Sequence, residues 1–279
     1  MDIYGIDFTS SPSGKKPLTC VHCRFEGGEL CLVDEIPWPS FAGFDAFLHG
    51  EGEWIAGIDF PFGQPRRFIE RIGWPESWAG YTRHVAELGK RRFCEELRAF
   101  KAARPYGDKE YFLATDVLCG GVSPMKIDFV PVGRMYAEGA PRLLNCPAMI
   151  PHLKEDGDRS RIIVEAYPGA AVRNLVGDKN NYKSDNPKRQ TKTQHTKRLG
   201  ILEWLTQAGN PYGFVVRSGR DIADDPAGDR LDALLCAVQA AWAWTQRDRG
   251  YGAPSDVDPS EGWIADPQSN RGAYPAYPA

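Results

Sequence analysis

The chain lacks the marks of several protein classes. Its 7 cysteines are an odd number, scattered along a chain too large to need stapling, which argues against a disulfide framework and for reduced thiols. Cys20 and Cys23 stand at the spacing of half a zinc ribbon. No second ligand pair follows at matched spacing, and residues 18–25 read as a strand. No basic stretch followed by an apolar run opens the sequence, and the longest nearly apolar segment, 233–244, falls short of the ~20 residues that span a bilayer. A soluble, cytoplasmic protein with no membrane partner is therefore expected. The 5 histidines fall in no recognisable motif, so Ser/His/Asp or His/Cys nucleophilic catalysis has little support. Gly120-Gly121 is a turn signal, too short for a phosphate loop. No repeat or low-complexity domain is evident.

What is present suits a globular fold. Of 279 residues, 42% are hydrophobic and 25% charged, enough for a sizeable core in one large domain or two at roughly 150 residues each. With a net charge of only -3, any nucleic-acid contact should be local and strongly salt-dependent.

Residues 2–9, 18–25 and 29–35 read as strands, the last two joined through Gly27-Gly28, a hairpin signal. Apolar residues at helical spacing follow over 41–48, and 53–60 returns to strand character before Pro61. The opening order is thus β-β-β-α-β. Residues 65–160 read as a mainly helical insertion with one long helix over 81–103. Next come a strand at 161–166, a helix from 170, a helix over 199–208 and a short strand at 214–216. The last helix is nearly apolar all round over 231–244, and Asp225 before Pro226 suits its N-cap. Residues 250–279 form a Pro-, Gly- and Tyr-rich tail, in which 261–264 is apolar enough to dock. One domain spanning 1–279 accounts for this layout.

The carboxylates ask for an explanation. Gly-Ile-Asp-Phe occurs twice, at 5–8 and 57–60, placing Asp7 and Asp59 at the ends of apolar strands. Glu165 ends a third such strand. An ionised carboxylate there is costly unless paired, hydrogen-bonded or metal-bound, and in open α/β sheets ligands gather at strand ends. Capping explains an acid taken singly, but three in like contexts point to function. Asp229 and Asp232 share one face of the last helix. Counted from the Asp225 cap, Asp229 is close enough to the start to be explained by capping, whereas Asp232 lies about two turns in and needs a cation. Clustered carboxylates share protons or bind a divalent ion, and oxygen ligands select Mg²⁺ or Mn²⁺ over zinc. Two such ions about 3.5–4 Å apart support phosphodiester hydrolysis.

Two basic stretches fit a polyanion. Residues 179–198 hold Lys179, Lys183, Lys188, Arg189, Lys192, Lys197 and Arg198 against a single acid, Asp185, and could neutralise phosphates. The basic residues of the 83–104 helix read equally well as a solvated face.

The strand and helix order, with Asp7, Asp59, Glu165 and the Asp229/Asp232 pair in those places, resembles the ribonuclease-H-like fold. More narrowly, the blocks at 5–10, 57–63, 164–169 and 229–237 resemble the family called domain of unknown function 429, regarded as predicted nucleases of that fold. The resemblance implies a three-layer α/β/α domain around a five-stranded mixed sheet of order 3-2-1-4-5, with the insertion between the fourth and fifth strands. It makes the first and fourth strands neighbours, so that Asp7 and Asp59 face each other. It also implies Asp7, Asp59 and Asp232 as metal ligands, with Glu165 and Asp229 as further members of the cluster.

The expected function is divalent-metal-dependent nucleic-acid hydrolysis, with Lys183, Lys188, Arg189, Lys192 and Arg198 positioning the backbone. Two alternatives stand beside it. One is a non-catalytic nucleic-acid or protein binding module on the same fold. The other is an ATP-dependent phosphotransferase of the related actin-like fold, which Thr9 and Ser10 partly suit while Phe8 stands where a glycine would be wanted.

Overall fold

A computed structural model describes residues 1–176 and 181–269. Lys179 and residues 270–279 of the tail lie outside the described residues. The chain opens with β1 (Asp2–Asp7), β2 (Leu18–Glu26) and β3 (Glu29–Trp38), followed by α1 (Phe41–Leu48) and β4 (Trp54–Ile58). Helices α2 (Arg66–Ile72), α3 (Trp78–Ala102), α4 (Ala114–Cys119) and α5 (Val132–Asn145) come next. After them stand β5 (Ala148–Met149), β6 (Asp158–Glu165), α6 (Pro168–Val176), α7 (Lys192–Leu205), β7 (Val215–Arg217) and α8 (Asp229–Thr245).

The fold is mixed α/β. The sheet has 7 strands in the order β5-β6-β4-β1-β2-β3-β7, which corrects the expected five. The additional strands are the two edges, β5 parallel to β6 and β7 parallel to β3. The 2-residue β5 is too short for an alternation pattern to mark it, and the 3-residue β7 answers the short strand expected at 214–216, which the five-stranded sheet did not include. At the centre, β1 pairs antiparallel with β2 and parallel with β4, and β4 pairs parallel with β6. All five residues of β4 are buried, as expected for a strand covered on both faces.

Two cores flank the sheet. On one side Ile6, Phe8, Ala56 and Ile58 join Phe44 of α1, Tyr81 and Phe93 of α3 and Tyr136 of α5. On the other, Ile3, Ile55 and Val164 pack with residues of α6, α7 and α8. Helix α8 is buried almost all round because it lies on the sheet centre. A Cβ on Gly5 would come within 2.0 Å of the Ala233 carbonyl oxygen, and one on Gly57 within 2.3 Å of that of Cys236. The helix backbone therefore rests on two glycines, at a distance no other residue allows.

The start of α8 differs from expectation. Gly228, at φ 81°, is its N-cap and Asp229 its first residue. Asp225 instead accepts from the backbone N–H groups of Ala227 and Arg230, at 3.0 and 3.1 Å. Asp232 consequently sits in the first turn, beside the positive end of the helix dipole, rather than two turns in.

Cys20 and Cys23 lie buried in β2 as free thiols, and burial raises both above the usual thiol range. The tail docks where the sequence was apolar: Ile264 bridges Glu165 at the end of β6 and is 2% exposed. Among the described residues no helix is long and apolar enough to cross a membrane.

Candidate metal centre

Strand register builds the site. Gly5 lies opposite Gly57 and Ile6 opposite Ile58 in the parallel β1–β4 ladder, and the Asp59 N–H donates to the Ile6 carbonyl at 3.0 Å. Side chains alternate along a strand, so Asp7 and Asp59, two residues beyond the glycines, emerge on the face that carries α8. The first turn of α8 brings Asp232 to meet them. One carboxylate oxygen from each of Asp7, Asp59 and Asp232 lies within 4.8 Å of the others.

Burial and like charge dominate the electrostatics. Asp7 is held well above the usual carboxylate range, by burial first; Lys183 works against this, while Asp232, Asp229 and Asp59 add to it. Asp59 is pushed up to about 7 by burial and by Asp232, against the pull of Lys183. Asp232 is 1% exposed. It accepts a hydrogen bond from the Tyr182 hydroxyl at 2.5 Å and an ion pair from the Lys183 ammonium. One ammonium thus faces three carboxylates. The Lys183 stem packs where a Cβ on Gly228 would stand, 2.8 Å from its Cβ, so the αL cap of α8 also seats the lysine.

Glu165 and Asp229 fall outside the triad. The Glu165 carboxylate accepts from the Phe62 N–H at 3.0 Å, and burial raises it well above its usual range. It faces a second buried acid, Asp116, which burial pushes up to about 8. Asp229, at the start of α8, is raised by burial and eased by Lys16 and Lys183.

Two hollows meet at Asp59. A cleft of about 410 Å³ is lined by Asp59, Asp232, Lys183, Tyr182 and Arg173. A smaller lobe of about 200 Å³ shares Asp59, Val122 and Tyr167 with it and reaches Asp116 and Glu165.

The expected phosphate-binding residues separate. Lys188, Arg189 and Lys192 are exposed. Lys183 is spent on Asp232. Arg198 is 2% exposed, donating from Nε to the Ala223 carbonyl and from Nη1 to that of Tyr182, both at 2.7 Å. Its expected phosphate contact is therefore corrected to a structural role. Sequence reasoning missed Tyr182, Asp116 and Arg173. For Tyr182 the signal was present, an aromatic hydroxyl next to a lysine in a basic stretch. For the other two, only the fold brings them there, α6 carrying Arg173 to the cleft and the insertion carrying Asp116 to the smaller lobe.

Comparison with known proteins adds one finding. Residues 146–258 match the family described as protein of unknown function (DUF429). The matched segment holds β5, β6, α6, α7, β7 and α8, and so supplies Asp232, Tyr182 and Lys183, while Asp7 and Asp59 lie before it. No curated protein and no solved structure matches the chain.

Proposed function

We propose that the chain is a divalent-cation-dependent phosphodiesterase acting on nucleic acid, built on a ribonuclease-H-like sheet. The observation that carries the reading is the meeting of Asp7, Asp59 and Asp232 oxygens within 4.8 Å at the edge of an open cleft. The donor set fits a hard cation: all three ligands are carboxylates, and the Lys183 ammonium already stands against one of them as a cationic partner. Mg²⁺ or Mn²⁺ held by Asp7, Asp59 and Asp232 would supply Lewis-acid polarisation of a phosphoryl oxygen and acidify a water.

The protein's own groups have distinct tasks. Asp7 and Asp59, raised above the usual carboxylate range by burial and by neighbouring carboxylates, would release their protons more readily once a cation enters. Tyr182 fixes the Asp232 carboxylate by its hydroxyl. Lys183 lines the cleft and, released from Asp232, can meet a phosphate oxygen. Lys188, Arg189 and Lys192 offer exposed charge to the flanking backbone.

Calorimetric titration of Mg²⁺ and Mn²⁺ into the wild type and Asp7→Asn tests the reading. Saturable binding is expected in the wild type alone, followed by cleavage of oligonucleotides in the presence of metal. Absence of binding up to millimolar metal would instead favour a non-catalytic binding module, for which the Lys183–Asp232 ion pair is a permanent counter-charge.

A further inference from the structure

The lobe beyond Asp59 has walls unlike those of the main cleft. Its sides include Phe60, Val130 and Met135, and its polar side chains are Asp59 and Tyr167, shared with the cleft, together with Asp116 and Glu165. A phosphate finds no cation among these residues and three acids instead, so the part of a polyanion that enters must be uncharged. At about 200 Å³ the lobe is smaller than the roughly 300–1,000 Å³ of drug-sized pockets, leaving room for a single flat ring system. Asp116 and Glu165 are 4% and 3% exposed. Burial raises both above the usual carboxylate range, and carboxyl groups can meet the polar edge of a heterocyclic base.

Next in the chain to Val130, which lines this lobe, stands a strained, exposed aromatic. Phe129 has φ 64° and is fully exposed. A bulky residue in that region is an outlier whose strain persists only where its surroundings enforce it. Here they do: the Val130 N–H donates to the Asp128 carbonyl at 2.8 Å, closing a γ-turn on Phe129. The Asp128 carboxylate is in turn gripped by Arg98 and Arg134, at 3.1 and 3.2 Å. The turn thus holds a ring in solvent beside Val130, which lines the lobe.

We propose that this lobe binds an unpaired nucleobase next to the phosphate held at the acid triad, with Phe129 stacking on the neighbouring base. The inference rests on the nuclease reading and gives its substrate class: single-stranded or locally unpaired nucleic acid, because a base within a duplex is paired and stacked and cannot enter.

The test compares Mn²⁺-dependent cleavage of a single strand, its duplex, and a strand of equal length whose central nucleotides lack bases. The wild type should cut the intact single strand fastest. Phe129→Gly, which suits a positive φ and so keeps the turn, should lower kcat/KM on the intact strand by on the order of tenfold, as for loss of one stacking platform, and leave the baseless strand unaffected. Equal rates on intact and baseless strands, or an unchanged rate in Phe129→Gly, would overturn the base-binding lobe while leaving the nuclease reading in place. No cleavage of any strand by the wild type would overturn the nuclease reading itself.

Discussion

Gly5 and Gly57 lie directly opposite one another in the β1–β4 ladder, and the backbone of α8 rests on both. The two bare positions let a helix approach the sheet closely enough for Asp232 to reach Asp7 and Asp59. The repeated Gly-Ile-Asp-Phe is therefore one device used twice: the glycine seats the helix, and the aspartate two residues on faces its first turn.

Gly5→Ala should accordingly disturb both fold and site. Its Cβ would lie 2.0 Å from the Ala233 carbonyl oxygen, a backbone atom that no rotamer change can move. Overpacking of this kind costs about 1–3 kcal/mol or more. A lowered urea midpoint together with weakened Mn²⁺ binding is expected; an unchanged midpoint would show that α8 does not depend on this contact.

Lys183→Met removes the ammonium from a carboxylate that is 1% exposed. Stranding one partner of a fully buried pair costs about 3–5 kcal/mol, and the penalty here should be smaller because the lysine side chain is 38% exposed. The variant should be less stable than wild type in a chelator. Millimolar Mg²⁺ should restore it more than it stabilises the wild type, since the cation then supplies the missing charge. Chemical denaturation with and without metal measures both effects.

Much of this arrangement was legible in the sequence, because alternation marks strands and places Asp7, Asp59 and Glu165 at their ends. The Asp7–Asp59 pairing followed from the family resemblance. The start of α8 was not legible: Asp225-Pro226 is a good local capping signal, yet Gly228 prevails since its positive φ and missing side chain make room for Lys183. Nor could spacing separate Glu165 from the triad, because its partner, the Phe62 N–H, comes from the turn after β4. Charge in the 179–198 stretch was visible, but not that Lys183 and Arg198 would be drawn inward while Lys188, Arg189 and Lys192 stay in solvent.

That division can be measured. Arg198→Ala leaves the Ala223 and Tyr182 carbonyls without their donor and should cost roughly 1–3 kcal/mol of stability, with weakened metal binding as the 182–183 segment loosens. Replacing Lys188, Arg189 and Lys192 together by alanine should leave the thermal midpoint unchanged. It should instead reduce the salt dependence of single-strand binding, by about 0.7 in log–log slope for each phosphate that these side chains neutralise in the wild type. Equal slopes for the triple variant and the wild type would place the backbone-binding charge elsewhere.

The pH dependence should change character with metal. Asp59 is raised to about 7 and Asp116 to about 8, both above the ordinary carboxylate value near 4 that they take in the unfolded chain. The native state then binds more protons than the unfolded state between those values. The contribution of these groups to stability is complete below about pH 4 and is lost as pH rises through about 7 and 8. In a chelator, the midpoint should therefore fall between about pH 5 and about pH 8.5. A divalent cation held at the triad would bind the ionised carboxylates, so its stabilisation should grow over the same interval. Thermal denaturation across this range, with chelator and with Mn²⁺, should give curves that diverge as pH rises. Parallel curves would mean that the triad takes no cation.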